Sequence, residues 1–90
     1  MKLDWEPSKA AANLRKHGVS FQEAGTVFGD PMALTFDDPD HSLGEARFLT
    51  FGISRAHKLL IVSYTERGDV TRIISARKMS RQERDIYENG

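Results

Sequence analysis

This 90-residue chain contains no cysteine, which excludes disulfides, thiolate metal sites and a cysteine nucleophile and leaves arginine with some lysine, histidine, glutamate and tyrosine for any chemistry. Seven of the nine basic residues after position 45 are arginines: Arg47, Arg55, Arg67, Arg72, Arg77, Arg81 and Arg84. A guanidinium is planar, permanently charged and able to grip two phosphate oxygens at once, so a cluster of this kind suits phosphate recognition. His17 closes a predicted helix. There a protonated imidazole would complement the negative end of the helix dipole, and equally would exchange protons near neutral pH. His41 and His57 fall in predicted loops and receive no role. Asp37, Asp38, Asp40 and His41 are metal-ligand types within one turn, but Pro39 interrupts them and no spaced partner motif follows, so they read as an ordinary acidic turn. The chain has no glycine-rich phosphate loop, no dinucleotide fingerprint and no Gly-x-Ser-x-Gly elbow. No cofactor and no metal are therefore expected. What remains suits metal-free RNA cleavage: the substrate's own 2′-hydroxyl attacks phosphorus, a base accepts its proton, an acid protonates the leaving oxygen, and cations hold the phosphate. It suits equally a binding surface that performs no catalysis.

Thirteen basic residues balance thirteen acidic ones. The balance conceals a polarity: residues 1–45 carry four basic against eight acidic residues, and residues 46–90 carry nine against five. Overall neutrality argues against a simple nucleic-acid coat. The polarity fits either a charged partner or a solvated, salt-bridged surface. The longest apolar run, Leu59-Leu60-Ile61-Val62, is far shorter than the roughly 20 residues a membrane helix needs, so no membrane association is expected. The opening Met1-Lys2-Leu3-Asp4-Trp5-Glu6 has no apolar signal core, which predicts an unprocessed cytoplasmic protein. Length and the absence of linkers or repeats predict one domain over residues 1–90.

The elements that must position these side chains are legible in the pattern. Leu3 and Trp5 alternate with polar neighbours, as in a short strand. Pro7 fits a first helical position, opening a helix over Ser8–His17 whose face carries Ala10, Leu14 and His17, with Lys9, Asn13 and Lys16 beside it. Gly18 is its left-handed cap. Ser20-Phe21-Gln22-Glu23 is a capping box for a second helix that turns Phe21, Ala24, Val27 and Phe28 inward and stops at Gly29-Asp30-Pro31. The period then switches to two: Met32, Leu34 and Phe36 alternate, Asp37–Ser42 is a turn, and strands follow over Arg47–Ile53, Lys58–Thr65 and Val70–Arg77. The link Glu66-Arg67-Gly68-Asp69 predicts a hairpin with Arg67 at its tip. Strict alternation in Val70–Arg77 puts Arg72 and Arg77 on opposite faces. Ser80-Arg81-Gln82-Glu83 is a second capping box for a closing helix through Glu88. The order β-α-α-β-β-β-β-α predicts an α+β domain, an antiparallel sheet with helices on one face and the other face open.

Several segments, in this order and without a large gap, resemble the BrnT family of ribonuclease toxins of type II toxin–antitoxin systems. They are Leu3-Asp4-Trp5-Glu6-Pro7 with Lys9 and Asn13, and Lys16-His17-Gly18-Val19-Ser20-Phe21 with Glu23-Ala24 and Val27-Phe28. Gly44-Glu45-Ala46-Arg47, Tyr64-Thr65-Glu66-Arg67-Gly68, Arg72-Ile73-Ile74-Ser75-Ala76-Arg77 and Glu83-Arg84 with Tyr87 complete the set. The resemblance implies a RelE-like fold and metal-independent RNA cleavage that inhibits translation. It implies neutralisation by a BrnA-like ribbon-helix-helix antitoxin, with operator DNA contacted only through that antitoxin. Carried over by position, it makes Arg67 and Arg77 stabilisers of the phosphate and transition state, His17 and Glu45 proton-transfer candidates, and Lys9, Arg47, Arg72 and Arg84 RNA contacts. Whether the toxin forms a homodimer or only a hetero-oligomer with its antitoxin stays open, as does a degenerate, non-catalytic toxin kept for operon autoregulation.

Overall fold

The computed structural model describes residues 1–90, and its elements follow the expected order. They are β1 (Lys2–Asp4), α1 (Pro7–His17), α2 (Phe21–Gly25), a 3-10 turn (Thr26–Gly29), β2 (Leu34–Asp37), a second 3-10 turn (Pro39–His41), β3 (Arg47–Ile53), β4 (Leu59–Arg67), β5 (Val70–Lys78) and α3 (Arg81–Asn89). Local chemistry sets the boundaries. Gly18 ends α1 at φ 70°, with its N–H on the Leu14 carbonyl, a conformation that costs other residues more. The Ser80–Glu83 capping box is complete in both directions. The Ser20 box is only half made: Ser20 Oγ accepts from the Glu23 N–H, while the Glu23 carboxylate turns away to Ser54 Oγ at 2.9 Å and Lys58 Nζ at 3.6 Å. Glu23 therefore ties α2 to the β3–β4 hairpin instead of closing its own cap. No helix is long and apolar enough to cross a membrane.

The sheet order is β1-β5-β4-β3-β2. The strands joined by short links pair antiparallel, but β1 joins β5 in parallel, Lys2–Asp4 against Val70–Arg72. The chain between them passes through both N-terminal helices, and only such a long crossover permits a parallel pair. The sheet is thus mixed at one edge, where a wholly antiparallel one is the sequence expectation. The β4–β5 link also differs. β4 continues to Arg67, which pairs with Val70, so the loop is only Gly68-Asp69, with φ 63° at Gly68. Positive φ at the first of two loop residues is the type II′ arrangement that matches strand twist. Arg67 is consequently a strand residue with a defined direction and not a free tip.

Val19, Phe21, Ala24 and Val27 from the helical layer pack on Leu60, Val62, Tyr64, Ile73 and Ala76 from the sheet. Trp5 meets the edge of Phe21 at 6.0 Å between ring centroids. The α1 face departs from expectation: Leu14 is exposed, and Asn13 is the buried residue of the helix. The reason is at the edge of β5. Beyond Arg72, β1 no longer pairs with β5, and the Asn13 amide takes its place. Its Oδ1 accepts from Ala76 N at 3.0 Å, and its Nδ2 donates to Ala76 O and Val19 O, both at 2.9 Å. A side-chain amide carries one acceptor and two donors, so it satisfies a buried strand edge that an apolar residue would leave orphaned.

The opposite face is not wholly open. Phe51, Ile61 and Met79 form a second small cluster there with Leu34, Leu49, Leu59 and Tyr87, which brings α3 over one end. The Tyr87 hydroxyl donates to Asp30 Oδ2 at 2.6 Å, and the same carboxylate accepts from the backbone N–H groups of Ile53 and Met32. Burial alone would push the Asp30 carboxyl up. The three hydrogen bonds outweigh it and hold the group below the usual range, while the Tyr87 phenol, hydrogen-bonded to that anion, is pushed up to about 12.

Candidate functional site

The uncovered end of that face is organised by strand register. Asp4 of β1, Arg72 of β5, Thr65 of β4 and Arg47 of β3 stand in one transverse row. Neighbouring strands lie about 4.8 Å apart, so three positions carrying two arginines and a hydroxyl fit within the span of one nucleotide phosphate and its sugar. Arg67 is two residues further along β4. A shallow pocket of about 280 Å³ opens over this row, lined among others by Lys9, His41, Glu45, Arg47, Thr65, Arg67 and Arg72. Four permanent cations face two acids there, Glu45 and Asp40. Thr65 is only 3% exposed, and its hydroxyl oxygen is the one buried side-chain polar atom in the protein with no hydrogen-bond partner. Buried hydroxyls are normally satisfied, so the Thr65 O–H, beside four cations, is a donor not used within the protein.

Three of the arginines on this face are held by carboxylates. Arg67 Nε and Nη2 donate to Glu45 Oε2 and Oε1 at 2.7 and 3.0 Å. Arg72 Nη1 donates to Asp4 Oδ2 at 2.5 Å. Arg77 grips both oxygens of Glu83 at 2.7 Å, and Glu83 is itself fixed as the α3 capping residue. The hydrogen bond from Arg77, reinforced by those from Ser80 and opposed by burial, brings the Glu83 carboxyl down to about 2. Glu45 is likewise held below the usual carboxylate range, first by its hydrogen bond from Arg67, then by the nearby charges of Arg67, Arg72 and Arg47. A guanidinium has five N–H donors, and a bidentate carboxylate occupies two. The pairs therefore aim the guanidinium planes while leaving their other edges free. Arg47 and Lys9 make no ion pair at all: they are the uncompensated cations of the pocket.

Of the residues singled out from sequence, Lys9, Glu45, Arg47, Arg67 and Arg72 meet in this pocket. Arg72 and Arg77 lie on the same face, not on opposite ones. The ladder passes from Ser63↔Ser75 directly to Tyr64↔Ile73, which leaves Ile74 as an extra residue in β5. Such a bulge reverses the parity of everything beyond it. Sharing a face does not make Arg77 a neighbour of Arg67. Arg77 registers with Ile61, six residues before Arg67 on β4, a backbone separation of about 20 Å. Arg77 lines a second recess with Asp38, His41, Arg47, Leu49, Ser63 and Ser75. His17 lines a third, with Lys9, Ala12, Asn13, Lys16, Ile74 and Ser75. The three recesses adjoin through shared walls: Lys9 and Ile74, Ser75, and Arg47 with His41. Arg84 is exposed on α3 and lines none of them.

One side chain on this surface is given no role by the sequence reading. His41 lines both the Arg67 and the Arg77 recess, and its Nδ1 lies 3.0 and 3.1 Å from the two oxygens of Asp38. The signal that could have found it is the spacing. Pro39 starts a 3-10 turn, in which residues three apart eclipse, and that sets Asp38 against His41. No three His, Asp or Glu side chains gather at a point that could hold a metal ion.

Comparison with known proteins adds three findings. The family model "Ribonuclease toxin, BrnT, of type II toxin-antitoxin system" matches residues 5–83. Among solved structures, the crystal structure of the Brucella abortus ribonuclease toxin BrnT superposes with a TM-score of 0.71 at 23% sequence identity, covering 90% of this chain and 99% of that one; at that identity the likeness speaks for the fold alone. No curated protein sequence matches the chain.

Proposed function

The chain belongs to the BrnT family of ribonuclease toxins of type II toxin–antitoxin systems, and from that premise we infer that it cleaves RNA by a metal-free transesterification in the pocket over the Asp4–Arg72–Thr65–Arg47 row. The observation that carries this reading is the convergence of Lys9, Arg47, Arg67 and Arg72 around the unpartnered Thr65 hydroxyl. The scissile phosphate sits among these cations. The substrate 2′-oxygen forms a bond to phosphorus as the phosphorus–5′-oxygen bond breaks, leaving a 2′,3′-cyclic phosphate and a 5′-hydroxyl. Negative charge gathers on the non-bridging oxygens in the transition state, and fixed guanidinium groups facing them need no reorganisation. Arg67 is the principal stabiliser, with Thr65, Arg72, Arg47 and Lys9 holding the phosphate. Glu45, with both oxygens on Arg67 and its proton affinity lowered, acts by aiming that guanidinium and not by carrying a proton. Arg77, about 20 Å along the strand, and His17, in the adjoining recess, contact the RNA on either side of the scissile group. Arg84 contacts it only where the strand extends over α3.

Cleavage of cellular RNA by this site would arrest translation in the cytoplasm. The antitoxin then has to cover the same cationic surface, which fits an acidic segment of a BrnA-like ribbon-helix-helix partner. In vitro, Arg67→Ala is expected to lower RNA cleavage about 10²–10³-fold, the usual loss for one transition-state donor, with an unchanged circular dichroism spectrum. Wild-type cleavage is expected to persist in excess EDTA. Full activity of R67A would reject this site, and strict dependence on an added divalent ion would reject the metal-free route. Induced expression should arrest growth, and co-expression of the neighbouring gene should restore it.

A further inference from the structure

The cations over Thr65 explain how a phosphate is held, but not what removes the 2′-hydroxyl proton. Glu45 is committed to Arg67 through both oxygens. His17 stands in the next recess, away from the Thr65 row. His41 is the one imidazole in the wall of the phosphate pocket.

Its placement is determined by the turn that carries it. Asp38 N donates to the Arg47 carbonyl at 2.9 Å, and Arg47 N donates to Ser42 Oγ at 3.0 Å. Ser42 Oγ in turn donates to the Asp38 carbonyl at 2.6 Å. The turn is therefore anchored on both sides to the residue that begins β3 and supplies a phosphate-binding arginine. The Asp38 side chain is 15% exposed and that of His41 is 65% exposed, so the carboxylate sits beneath the ring and the ring reaches outward. An ionised carboxylate can only accept. Nδ1 must then carry the hydrogen, and Nε2, the remaining polar atom of the ring, is left with its lone pair in the pocket wall. A carboxylate placed beneath the ring in this way fixes the tautomer of a catalytic imidazole and supports the imidazolium that forms. The charged groups around it are Asp38 and Asp40 on its own turn, Glu45 and Arg47 before and at the start of β3, Arg67 on β4, Arg72 and Arg77 on β5, and Lys9 on α1.

We propose that His41, oriented by Asp38, is the general base of the reaction. The assignment rests on the ribonuclease reading above. Nε2 accepts the 2′-hydroxyl proton as the 2′-oxygen–phosphorus bond forms. The phosphorus–5′-oxygen bond breaks, and the leaving oxygen takes a proton from water in the open pocket. The imidazolium then releases its proton to solvent, and Asp38 stays ionised throughout as a positioning residue.

The test is cleavage of a short RNA by the purified protein across pH. A positioned base contributes about 10²–10⁴-fold, so His41→Gln should cost at least 100-fold in kcat and remove the acidic limb of the kcat/KM profile. His41→Gly should recover part of its rate when imidazole is added. Asp38→Ala should lower kcat with little change in KM, because it disturbs the base and not the phosphate contacts. His57→Asn, in the β3–β4 turn at φ 66°, should cleave like wild type. An H41Q protein with wild-type rate or an intact acidic limb overturns the assignment while the ribonuclease reading stands. A wild-type protein that leaves RNA intact overturns both.

Discussion

Replacing Asn13 tests whether a side chain can stand in for a missing strand. In the fold, the Asn13 amide closes the β5 edge where β1 ends, through one accepted and two donated hydrogen bonds to Ala76 and Val19. Both partner residues are fully buried, and Asn13 is 6% exposed. Asn13→Ala leaves one N–H and two carbonyls without these contacts. A buried group left unsatisfied costs about 1–3 kcal/mol. The N–H loses its only partner. Water entering the vacated space from the adjoining recess recovers part of the loss at the carbonyls. The expected cost is therefore about 2–4 kcal/mol, a large share of the 5–15 kcal/mol that holds a domain together. With an m-value of about 1 kcal/mol/M in urea, the midpoint should fall by about 2 M or more at constant m. Asn13→Asp sharpens the reasoning: it keeps the acceptor for Ala76 N–H but turns both donated bonds into oxygen–oxygen contacts. At neutral pH, N13D should be no more stable than N13A. Because the introduced carboxyl is easier to protonate when folded, N13D should gain on N13A as pH falls. A loss below 1 kcal/mol for N13A, or an N13D protein close to wild type at pH 7, would refute the strand-edge role.

Two further outcomes follow from the same contacts. Glu83 titrates at about 2 in the folded protein, below its unfolded value, so its stabilisation is complete above the unfolded pKa and is lost as pH falls from about 5 to about 2. After allowance for solvent screening of a surface pair this is of order 1 kcal/mol, and urea midpoints across that range should fall more for wild type than for Glu83→Gln. Gly68→Ala, forced to φ 63°, should cost about 1–2 kcal/mol, and Gly68→Asn less, because asparagine tolerates that region better.

The elements were legible where a cap or a period marks them. Gly18, Ser80 with Glu83, and the apolar runs that become β3, β4 and β5 each act through their immediate neighbours, and the structure keeps these elements. What was not legible depends on groups distant in sequence. Nothing near Glu23 indicates that its carboxylate will meet Ser54 and Lys58 across the helical layer in preference to its own cap. Helical periodicity puts Leu14 inward and treats Asn13 as polar decoration, whereas 63 residues later a strand edge without a partner makes the amide the buried group. The parallel pairing of β1 with β5 is a further case, since only the completed crossover decides it.

The site shows the same division at higher stakes. The arginines were visible as residue types, but their grouping rests on a single extra residue, Ile74, between two registers of the β4–β5 ladder. Were Ile74 paired in register and not bulged, alternation would send Arg72 towards the helical layer whenever Arg77 faced the pocket, and the Asp4–Arg72–Thr65–Arg47 row would lose a cation. A bulge is invisible to a period-two reading because it is the place where that period fails. Its position here, between the Arg77 recess and the Thr65 pocket, lets one strand present arginines at both ends of one surface. Deleting Ile74 should therefore leave both arginines on the pocket face, because Ser63↔Ser75 and Tyr64↔Ile73 then follow one another in a regular ladder and Arg72 keeps the parity of Arg77. If the chain still folds, RNA affinity and its salt dependence should stay close to wild type, since the same cations meet phosphate, and a fall in both would refute the parity argument.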